Sequence, residues 1–257
     1  MKVVILCGGK GTRIADADYD AKALVEIGER PILWHIMKIY AAAGLTDYVL
    51  TLGHGADAIK QYFLNYQAIV HDFTLTFGTQ SGTHFHETNA EADWRITMAF
   101  TGLDTNKGGR IRRALKYVGD EPFHLTYGDG LGDIDLAALM RFHRSHGRLM
   151  TVTGYQPLSQ YGILQVGKDG QVTGFEEKPR LNSWINAGFM ICEPGIRDYL
   201  DDDDTLDLER EIMVRLAHDG QLMIYKHTGF WRSMDTFKEA RELTELWNTS
   251  APWKVWR

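Results

Sequence analysis

A short apolar run that stops abruptly at two glycines opens the chain and most constrains its fold. Residues 3–7 are continuously apolar and rich in β-branched side chains, and Gly8 and Gly9 follow them directly. Such a run is typical of a strand buried on both faces of a parallel sheet. In open α/β sheets, ligands bind beyond the carboxyl ends of the strands. The glycine segment is therefore predicted to lie at a binding site.

The rest of the first half alternates between strand-like and helix-like segments. The predicted strands are residues 48–52, 73–77, 94–100 and 123–127. The predicted helices begin at Pro31, near Ala56 and near Gly108. Residues 80–93 have the polar, glycine-bearing composition of a loop. A β-α-β alternation predicts an α/β fold, in which helices cover a parallel sheet.

From residue 149 the pattern changes to short strands and turns. Asp169-Gly170 is a strong hairpin signal, and it predicts a smaller antiparallel lobe. Two short helices, a strand over 222–225 and a last helix from about Thr236 to Trp247 complete the pattern. We predict a single domain over 1–257, with approximate lobes at 1–148, 149–235 and 236–257.

Composition limits the classes of partner. With 28 basic and 34 acidic residues the net charge is -6, which lacks the basic excess expected of a nucleic-acid-binding protein. Cys7 and Cys192 are predicted to be buried free thiols, because no disulfide framework or metal spacing is present. The first apolar run is too short for a signal peptide or a membrane span, so we expect a cytoplasmic protein without a membrane partner.

The segment after the first strand has the chemistry of a phosphate-binding loop. Gly8, Gly9 and Gly11 allow backbone N–H groups to surround phosphate oxygens, and Arg13 and Lys22 supply cations. The dinucleotide-binding G-x-G-x-x-G pattern of oxidoreductases is disfavoured, because Ile14 stands at its third glycine, and no P-loop Gly-Lys-Ser/Thr follows. From this segment alone, a tight turn with two solvated cations remains an alternative.

Ordered motifs along the whole chain resemble those of the sugar-1-phosphate nucleotidyltransferases. The opening Gly8-Gly9-Lys10-Gly11-Thr12-Arg13 is followed by Lys22 and by Val-Glu-Ile-Gly at 25–28. Further matches are Arg-Pro-Ile-Leu-Trp-His-Ile-Met at 30–37, Gly-Gly-Arg at 108–110, Thr-Tyr-Gly-Asp-Gly at 126–130, Glu-Lys-Pro at 177–179, Ile-Asn-Ala-Gly-Phe at 185–189, Gly-Phe-Trp at 229–231, Met-Asp-Thr at 234–236 and Ala-Pro-Trp-Lys-Val-Trp at 251–256. The length and the tryptophan-rich tail are most similar to the cytidylyl branch.

The resemblance implies a fold and an activity. The fold is a Rossmann-like, mostly parallel sheet flanked by helices, with a nucleotide-binding lobe at 1–148 and a smaller antiparallel sugar-binding lobe at 149–235. The implied reaction is Mg²⁺-dependent transfer of a cytidylyl group from CTP to α-D-glucose 1-phosphate, giving CDP-glucose and pyrophosphate, by a homo-oligomer. Three alternatives stay open: UTP or dTTP as donor, another sugar 1-phosphate as acceptor, and a non-catalytic paralogue that binds a nucleotide sugar.

The resemblance also implies roles for individual residues. The catalytic residues would be Arg13, Lys22, Asp129 and Lys178. Nucleotide-binding positions would be Leu6, Cys7, Gly8, Gly9, Gly11, Thr12, Arg13, Lys22 and Gly109. Positions for the sugar phosphate would be Gly162, Glu177, Lys178 and Asn186. Asp129 and Asp235 would bind Mg²⁺, which commonly takes one or two carboxylates together with substrate phosphates.

Overall fold

The computed structural model describes residues 1–10, 21–79 and 81–256. Its strands are β1 (Val3–Leu6), β2 (Glu26–Ile27), β3 (Arg30–Pro31), β4 (Asp47–Leu52), β5 (Phe73–Thr76), β6 (Gly82–Phe85), β7 (Arg95–Phe100), β8 (Phe123–Tyr127), β9 (Gly130–Gly132), β10 (Met150–Tyr155), β11 (Ile163–Val166), β12 (Val172–Glu176), β13 (Ile185–Asn186), β14 (Met190–Cys192), β15 (Leu222–His227) and β16 (Trp231–Ser233). Its α-helices are α1 (Ile32–Ala42), α2 (Ala56–Leu64), α3 (Tyr66–Val70), α4 (Lys107–Val118), α5 (Leu136–His146), α6 (Met213–His218) and α7 (Phe237–Thr249). Shorter 3₁₀ or π turns span Lys22–Leu24, Lys168–Gly170, Pro194–Tyr199 and Leu208–Ile212.

One eight-stranded sheet forms the centre of the molecule. Its order is β13, β10, β14, β8, β1, β4 and β7, and β15 pairs with β10. Strands β8, β1, β4 and β7 are mutually parallel, whereas β14 runs antiparallel to both β8 and β10. The prediction of a mostly parallel sheet flanked by helices is confirmed.

The first strand is apolar throughout because both of its faces are covered. Val3 and Ile5 belong to a core cluster that includes side chains of α1 and α7. Val4 and Leu6 point to the opposite face, into a cluster with α4 and α6. All four side chains are buried. Successive side chains of a strand alternate between faces, so a strand between two helical layers needs an unbroken apolar run.

The prediction for residues 73–77 was right about the strand but wrong about its sheet. Strand β5 pairs antiparallel with β6 in a separate hairpin, and the parallel neighbour of β4 is β7. Strand β6 also lies within residues 80–93, which the sequence predicted as a loop. In β5, Phe73 and Leu75 alternate with threonines. That period of two suits a strand with one covered face, not one buried on both.

The predicted hairpin at Asp169-Gly170 is confirmed, since β11 and β12 pair antiparallel on either side of it. The range 149–235 nevertheless contributes β10, β13, β14 and β15 to the central sheet. Residues 156–184, which include β11 and β12, lie outside this sheet, and we call them the hairpin lobe. Most of its apolar side chains are exposed.

The C-terminal tail packs on the body of the protein. Trp253 is fully buried and belongs to the same core cluster as α1. Both cysteines are free and buried, as predicted. Within the described ranges, none of the helices has the length and apolar character needed to cross a bilayer.

Candidate active site

The carboxyl ends of β1 and β8 open into one cleft. These strands are adjacent and parallel, with Leu6 paired to Tyr127, so the segments that follow them emerge side by side. The cleft has a volume of about 690 Å³. Its lining comes from residues 6–10, 22–23, 103–107, 110, 127–129 and 235. This is the edge of a parallel sheet at which ligands bind.

Glycine is required at the start of the loop after β1. A Cβ atom on Gly8 would lie 2.5 Å from a guanidinium nitrogen of Arg110 and 2.7 Å from the backbone nitrogen of Gly53. At Gly9, which is exposed, a Cβ would meet nothing within 4 Å. The backbone at Gly8 is therefore pressed against Arg110, whereas the backbone at Gly9 is open to an incoming ligand.

Arg110 is a cleft residue to which the sequence analysis gave no role. It lies in the first turn of α4, and its guanidinium donates to the carbonyl oxygens of Leu52 (3.1 Å), Gly102 (2.8 Å) and Leu103 (3.1 Å) and to the hydroxyl of Thr101 (2.8 Å). It thus links the end of β4 and residues 101–103 to helix α4. The sequence signal for this role was the position of Arg110 in the Gly-Gly-Arg motif. A buried guanidinium needs several hydrogen-bond acceptors around it.

Lys22 lies between two carboxylates at one end of the cleft. Its ammonium donates to Asp129 Oδ2 at 2.6 Å and to Asp235 Oδ1 at 2.8 Å. Burial acts to lower the pKa of Lys22, but the attraction and hydrogen bonds of Asp129 and Asp235 outweigh it, and the pKa lies above its ordinary value. The lysine is therefore charged at neutral pH. Three residues that are far apart in sequence meet at this point.

Local strand pairing brings the two aspartates together. Asp129 directly precedes β9, and Asp235 follows β16 closely; these two strands pair antiparallel. The backbone N–H of Met234 also donates to the carbonyl oxygen of Asp129 at 2.8 Å. On the other side of Asp235, the Glu239 carboxylate accepts its backbone N–H at 2.7 Å as part of the capping box of α7. Asp235 is thus fixed by a strand on one side and a helix cap on the other.

The segment that follows Lys22 is anchored on the C-terminal helix. Gly28 has a φ of +68°, and a Cβ there would lie 2.2 Å from the Trp247 ring. Its backbone N–H donates to Thr244 Oγ1 at 3.2 Å. Helix α7 therefore holds Asp235 at its start. Along its length it holds residues 22–28, which we call the Lys22 segment.

His35 locks the tail onto the same segment. The indole N–H of Trp253 donates to His35 Nδ1 at 3.3 Å, so the ring proton must be on Nε2, which donates to the carbonyl oxygen of Ile27 at 2.8 Å. Burial lowers the pKa of His35 to about 4. The ring is neutral at physiological pH, and its tautomer is set by these two partners.

The donor set at Lys22 fits a hard divalent cation. Asp129 and Asp235 present carboxylate oxygens, the ligand type that Mg²⁺ prefers. Across the described part of the chain, no group of three or more His, Cys, Asp or Glu side chains is arranged to hold a metal ion. A metal at these two aspartates would complete its coordination with substrate oxygens and water.

Asn186 adjoins the cleft through Tyr127. Its Nδ2 donates to the Tyr127 hydroxyl at 2.7 Å, and its Oδ1 accepts the Gly188 backbone N–H at 2.9 Å. The Tyr127 hydroxyl donates in turn to Glu209 at 2.8 Å, and Glu209 also pairs with the cleft residue Lys107. The sequence analysis did not identify Tyr127, Lys107 or Glu209.

The other predicted sugar residues lie in the hairpin lobe, away from the lining of this cleft. Lys178 and Glu177 are 62% and 65% exposed and form an ion pair of 3.9 Å. Gly162 is close to Glu177, since a Cβ on it would lie 3.0 Å from Glu177 Oε2. These three residues are brought together with one another, but not with Asp129.

The predicted nucleotide positions divide into three groups. The cleft lining includes Leu6, Cys7, Gly8, Gly9 and Lys22. Gly109 faces Thr105 and the backbone of Asp203 instead, and does not line the cleft. Gly11, Thr12 and Arg13 lie outside the described residues. Burial raises the pKa of Cys7 to about 12, so its thiol is protonated and is not a nucleophile.

An α/β fold with a glycine segment, a lysine and two carboxylates at the carboxyl ends of its parallel strands belongs to a class of protein in which such a cleft typically binds phosphate-bearing ligands. The family model described as nucleotidyl transferase matches residues 2–246, and the chain belongs to this family.

Several relatives match this chain from end to end, and two of them are described here. A probable glucose-1-phosphate cytidylyltransferase from Bacillus subtilis (strain 168) is 44% identical, and the glucose-1-phosphate cytidylyltransferase of Salmonella typhimurium is 40% identical, each with 100% of both chains covered. Among solved structures, HddC from Yersinia pseudotuberculosis superposes with a TM-score of 0.68 at 21% identity, over 96% of this chain and 99% of that one. The structural likeness supports the fold, and the two relatives support nucleotidyl transfer.

Proposed function

We propose that this enzyme transfers a cytidylyl group from CTP to α-D-glucose 1-phosphate, with Mg²⁺, and releases CDP-glucose and pyrophosphate. The choice of base and sugar is supported by the names of the two full-length relatives. The observation that carries the reaction class is the position of Lys22 between Asp129 and Asp235, in a cleft that is also lined by the glycine segment after β1.

Nucleotidyl transfer needs positioning and charge neutralisation more than a protein nucleophile. An oxygen of the sugar phosphate attacks the α-phosphorus in line, so a new P–O bond forms as the bond to the bridging α–β oxygen breaks and pyrophosphate leaves. The backbone at Gly9 is open to the cleft and can approach the phosphates. Lys22 supplies a positive charge, and by resemblance to the family Arg13 supplies another.

Asp129 and Asp235 would hold the metal ion. When bound, Mg²⁺ would neutralise charge on the phosphate oxygens of the nucleotide. The strand pairing of β9 with β16 and the cap of α7 keep both carboxylates in place before any ligand arrives. The fold therefore positions both carboxylates for metal binding in advance.

The sugar phosphate would be bound from the hairpin lobe. Lys178 would contact its phosphate and Glu177 its hydroxyls, with Gly162 leaving room beside them. Asn186 would line the hexose, although its amide already bonds to Tyr127 and Gly188. A homo-oligomer remains a prediction from the family resemblance, and light scattering after size-exclusion chromatography measures it. A cytoplasmic location remains a prediction from the short first apolar run.

The test is a substrate matrix. Pyrophosphate release is measured with Mg²⁺ for CTP, UTP, dTTP, ATP and GTP, each crossed with glucose 1-phosphate and several other sugar 1-phosphates. We expect CTP with glucose 1-phosphate to give the highest kcat/KM by a wide margin. The same matrix with Mg²⁺ replaced by EDTA should give no release.

Each outcome tests a different part of the proposal: the base and sugar, the transfer activity or the metal. Another leading pair would keep nucleotidyl transfer but reject the base or sugar assigned here. No release from any pair by a folded protein would reject the enzyme and favour a nucleotide-sugar-binding paralogue. Equal release in EDTA would reject the metal assignment alone.

A further inference from the structure

The ammonium of Lys22 lies where a cation shared by two carboxylates must lie. It is 2.6 Å from Asp129 Oδ2 and 2.8 Å from Asp235 Oδ1, and its side chain is only 18% exposed. A magnesium ion bound by the same oxygens would need contacts of about 2.1 Å to each. Two cations cannot occupy this space together, so the lysine and the metal compete for the same carboxylate oxygens.

The backbone that carries Lys22 is held, and its side chain is the part that can move. In the turn Lys22–Leu24, the N–H of Val25 donates to the Lys22 carbonyl at 3.2 Å and the N–H of Leu24 to that of Ala21 at 2.9 Å. Beyond this turn, Gly28 is fixed against α7. A lysine side chain has four rotatable methylenes and a compact charge. Its ammonium can leave the carboxylates while the turn Lys22–Leu24 stays in place.

We propose that Lys22 is the resident counter-ion of the metal site, which blocks free divalent metal until phosphate oxygens arrive to accept its ammonium. This inference rests on the proposed function, since it takes Asp129 and Asp235 as the metal ligands. The exchange balances charge: the carboxylates pass from a monovalent ammonium to a divalent metal, while the ammonium passes to an anionic phosphate. The cleft that Lys22 lines offers those phosphates a place next to it.

The consequence is that metal binding depends on nucleotide. In the absence of nucleotide the wild-type protein binds free metal weakly, because the metal must first separate Lys22 from two carboxylates. Removal of the ammonium takes one positive charge from between the two carboxylates. With less positive charge between them, the carboxylates attract a divalent ion more strongly and repel each other more when no ion is present.

The test measures Mn²⁺ binding by titration calorimetry and by the EPR signal of free Mn²⁺, without nucleotide. The proteins are the wild type, Lys22→Met, Lys10→Met and Lys22→Met combined with Asp129→Asn. Lys10→Met is the matched control, because Lys10 lies at the rim of the same cleft but pairs with the exposed Asp104 at 2.8 Å. Thermal unfolding is followed in EDTA and in Mn²⁺ for each protein.

We expect Lys22→Met to bind Mn²⁺ at least tenfold more tightly than the wild type, and Lys10→Met to bind it within about twofold of the wild type. We also expect Lys22→Met to unfold at a lower temperature in EDTA and to be restored by Mn²⁺. The added Asp129→Asn should remove both effects. Equal or weaker Mn²⁺ binding by Lys22→Met would overturn the proposal.

Failure of this inference differs from failure of the proposed function. Tight Mn²⁺ binding by the nucleotide-free wild type, lost in Asp129→Asn, would reject the counter-ion role and keep the metal site. Tight binding by Lys22→Met that survives Asp129→Asn would place the metal elsewhere, and would reject both the counter-ion role of Lys22 and the metal site assigned to Asp129 and Asp235, while the transfer reaction is tested separately by the substrate matrix.

Discussion

Two lysines to which we assign substrate binding, Lys22 and Lys178, have different surroundings. Lys22 is 18% exposed and is held by two carboxylates at 2.6 and 2.8 Å, each of them fixed by strand pairing or a helix cap. Lys178 is 62% exposed, and its ion pair with Glu177 is 3.9 Å long. Exposed pairs of this kind contribute about 0–1 kcal/mol to stability. The fold itself orients the first charge, whereas a ligand must orient the second.

The contrast extends to the surroundings of each site. The strands that lead into the cleft are buried on both faces, while the hairpin lobe exposes most of its apolar side chains. The free energy of local unfolding differs between parts of a protein and is higher where side chains are more deeply buried. The phosphate end of the site should therefore be the rigid one, and the sugar end the adaptable one.

The largest expected difference between the two regions is in the free energy of unfolding that is lost when the same substitution is made in each. Leu125 in β8 is 0% exposed and Leu164 in β11 is 56% exposed. Leu125→Ala should lower the free energy of unfolding by about 2–5 kcal/mol through lost burial and a cavity, whereas Leu164→Ala should change it by less than about 0.5 kcal/mol. Denaturant unfolding of both variants measures the difference. A comparable loss for Leu164→Ala would mean that the lobe is covered in solution and that its exposure is not intrinsic.

A second test uses the buried histidine behind the Lys22 segment. Burial lowers the pKa of His35 from 6.5 to about 4, so between these values the unfolded chain binds a proton that the folded chain does not. The stability that neutral His35 contributes is complete above pH 6.5 and is lost as the pH falls toward 4, on the order of 3 kcal/mol in total.

The control for the pH test is His35→Gln, which keeps polar atoms at the site but does not titrate. Its free energy of unfolding should fall less steeply than that of the wild type between pH 6.5 and 4, when both are measured by urea unfolding at several pH values. Parallel curves would show that His35 does not carry this pH dependence.

The rigid end of the site should be intolerant of a change in charge. Asp129→Asn should lower turnover at least about a hundredfold, or about 2.7 kcal/mol of transition-state stabilisation. Asp169→Asn, an identical change on the exposed hairpin turn, should leave kcat and KM unchanged. Near-normal turnover of a folded Asp129→Asn protein would contradict the assignment of this carboxylate to the metal.

Removal of the Lys178 charge from the hairpin lobe should lower the affinity for the sugar phosphate. Lys178→Met should raise the KM for the sugar phosphate about tenfold, about 1.4 kcal/mol, with no change in the free energy of unfolding. Lys168→Met, on the turn of the same hairpin, serves as the control. If the two variants have the same kinetics, Lys178 does not bind the sugar phosphate.

Local patterns predicted the elements well but not all of their partners. The strand at 123–127 and the hairpin at Asp169-Gly170 were predicted because the apolar run and the turn residues are local signals. The sheet of β5 was not, since strand pairing depends on contacts between distant segments. Arg110 was missed for the same reason, because the carbonyl groups that define its role come from elsewhere in the chain.

The site itself was accessible mainly through the family resemblance. That resemblance named Lys22, Asp129 and Asp235, and the structure brings both carboxylates within hydrogen-bonding distance of the Lys22 ammonium. It also named Gly109, which packs against Asp203 and not into the cleft. No spacing rule joins Lys22 to Asp235, because their meeting depends on the pairing of β9 with β16 and on the anchoring of both segments to α7.

The hydrogen bond between Trp253 and His35 has a consequence for the timing of synthesis. The segment that carries Lys22 is translated long before Trp253, whose indole secures it through His35. Chains are extended at roughly 5–20 residues per second, and N-terminal parts begin to fold first. The central strands can pair while the chain is still on the ribosome, yet the Lys22 segment gains this support only after Trp253 has been made. A chain that stops before Trp253 would thus lack this support for the Lys22 segment.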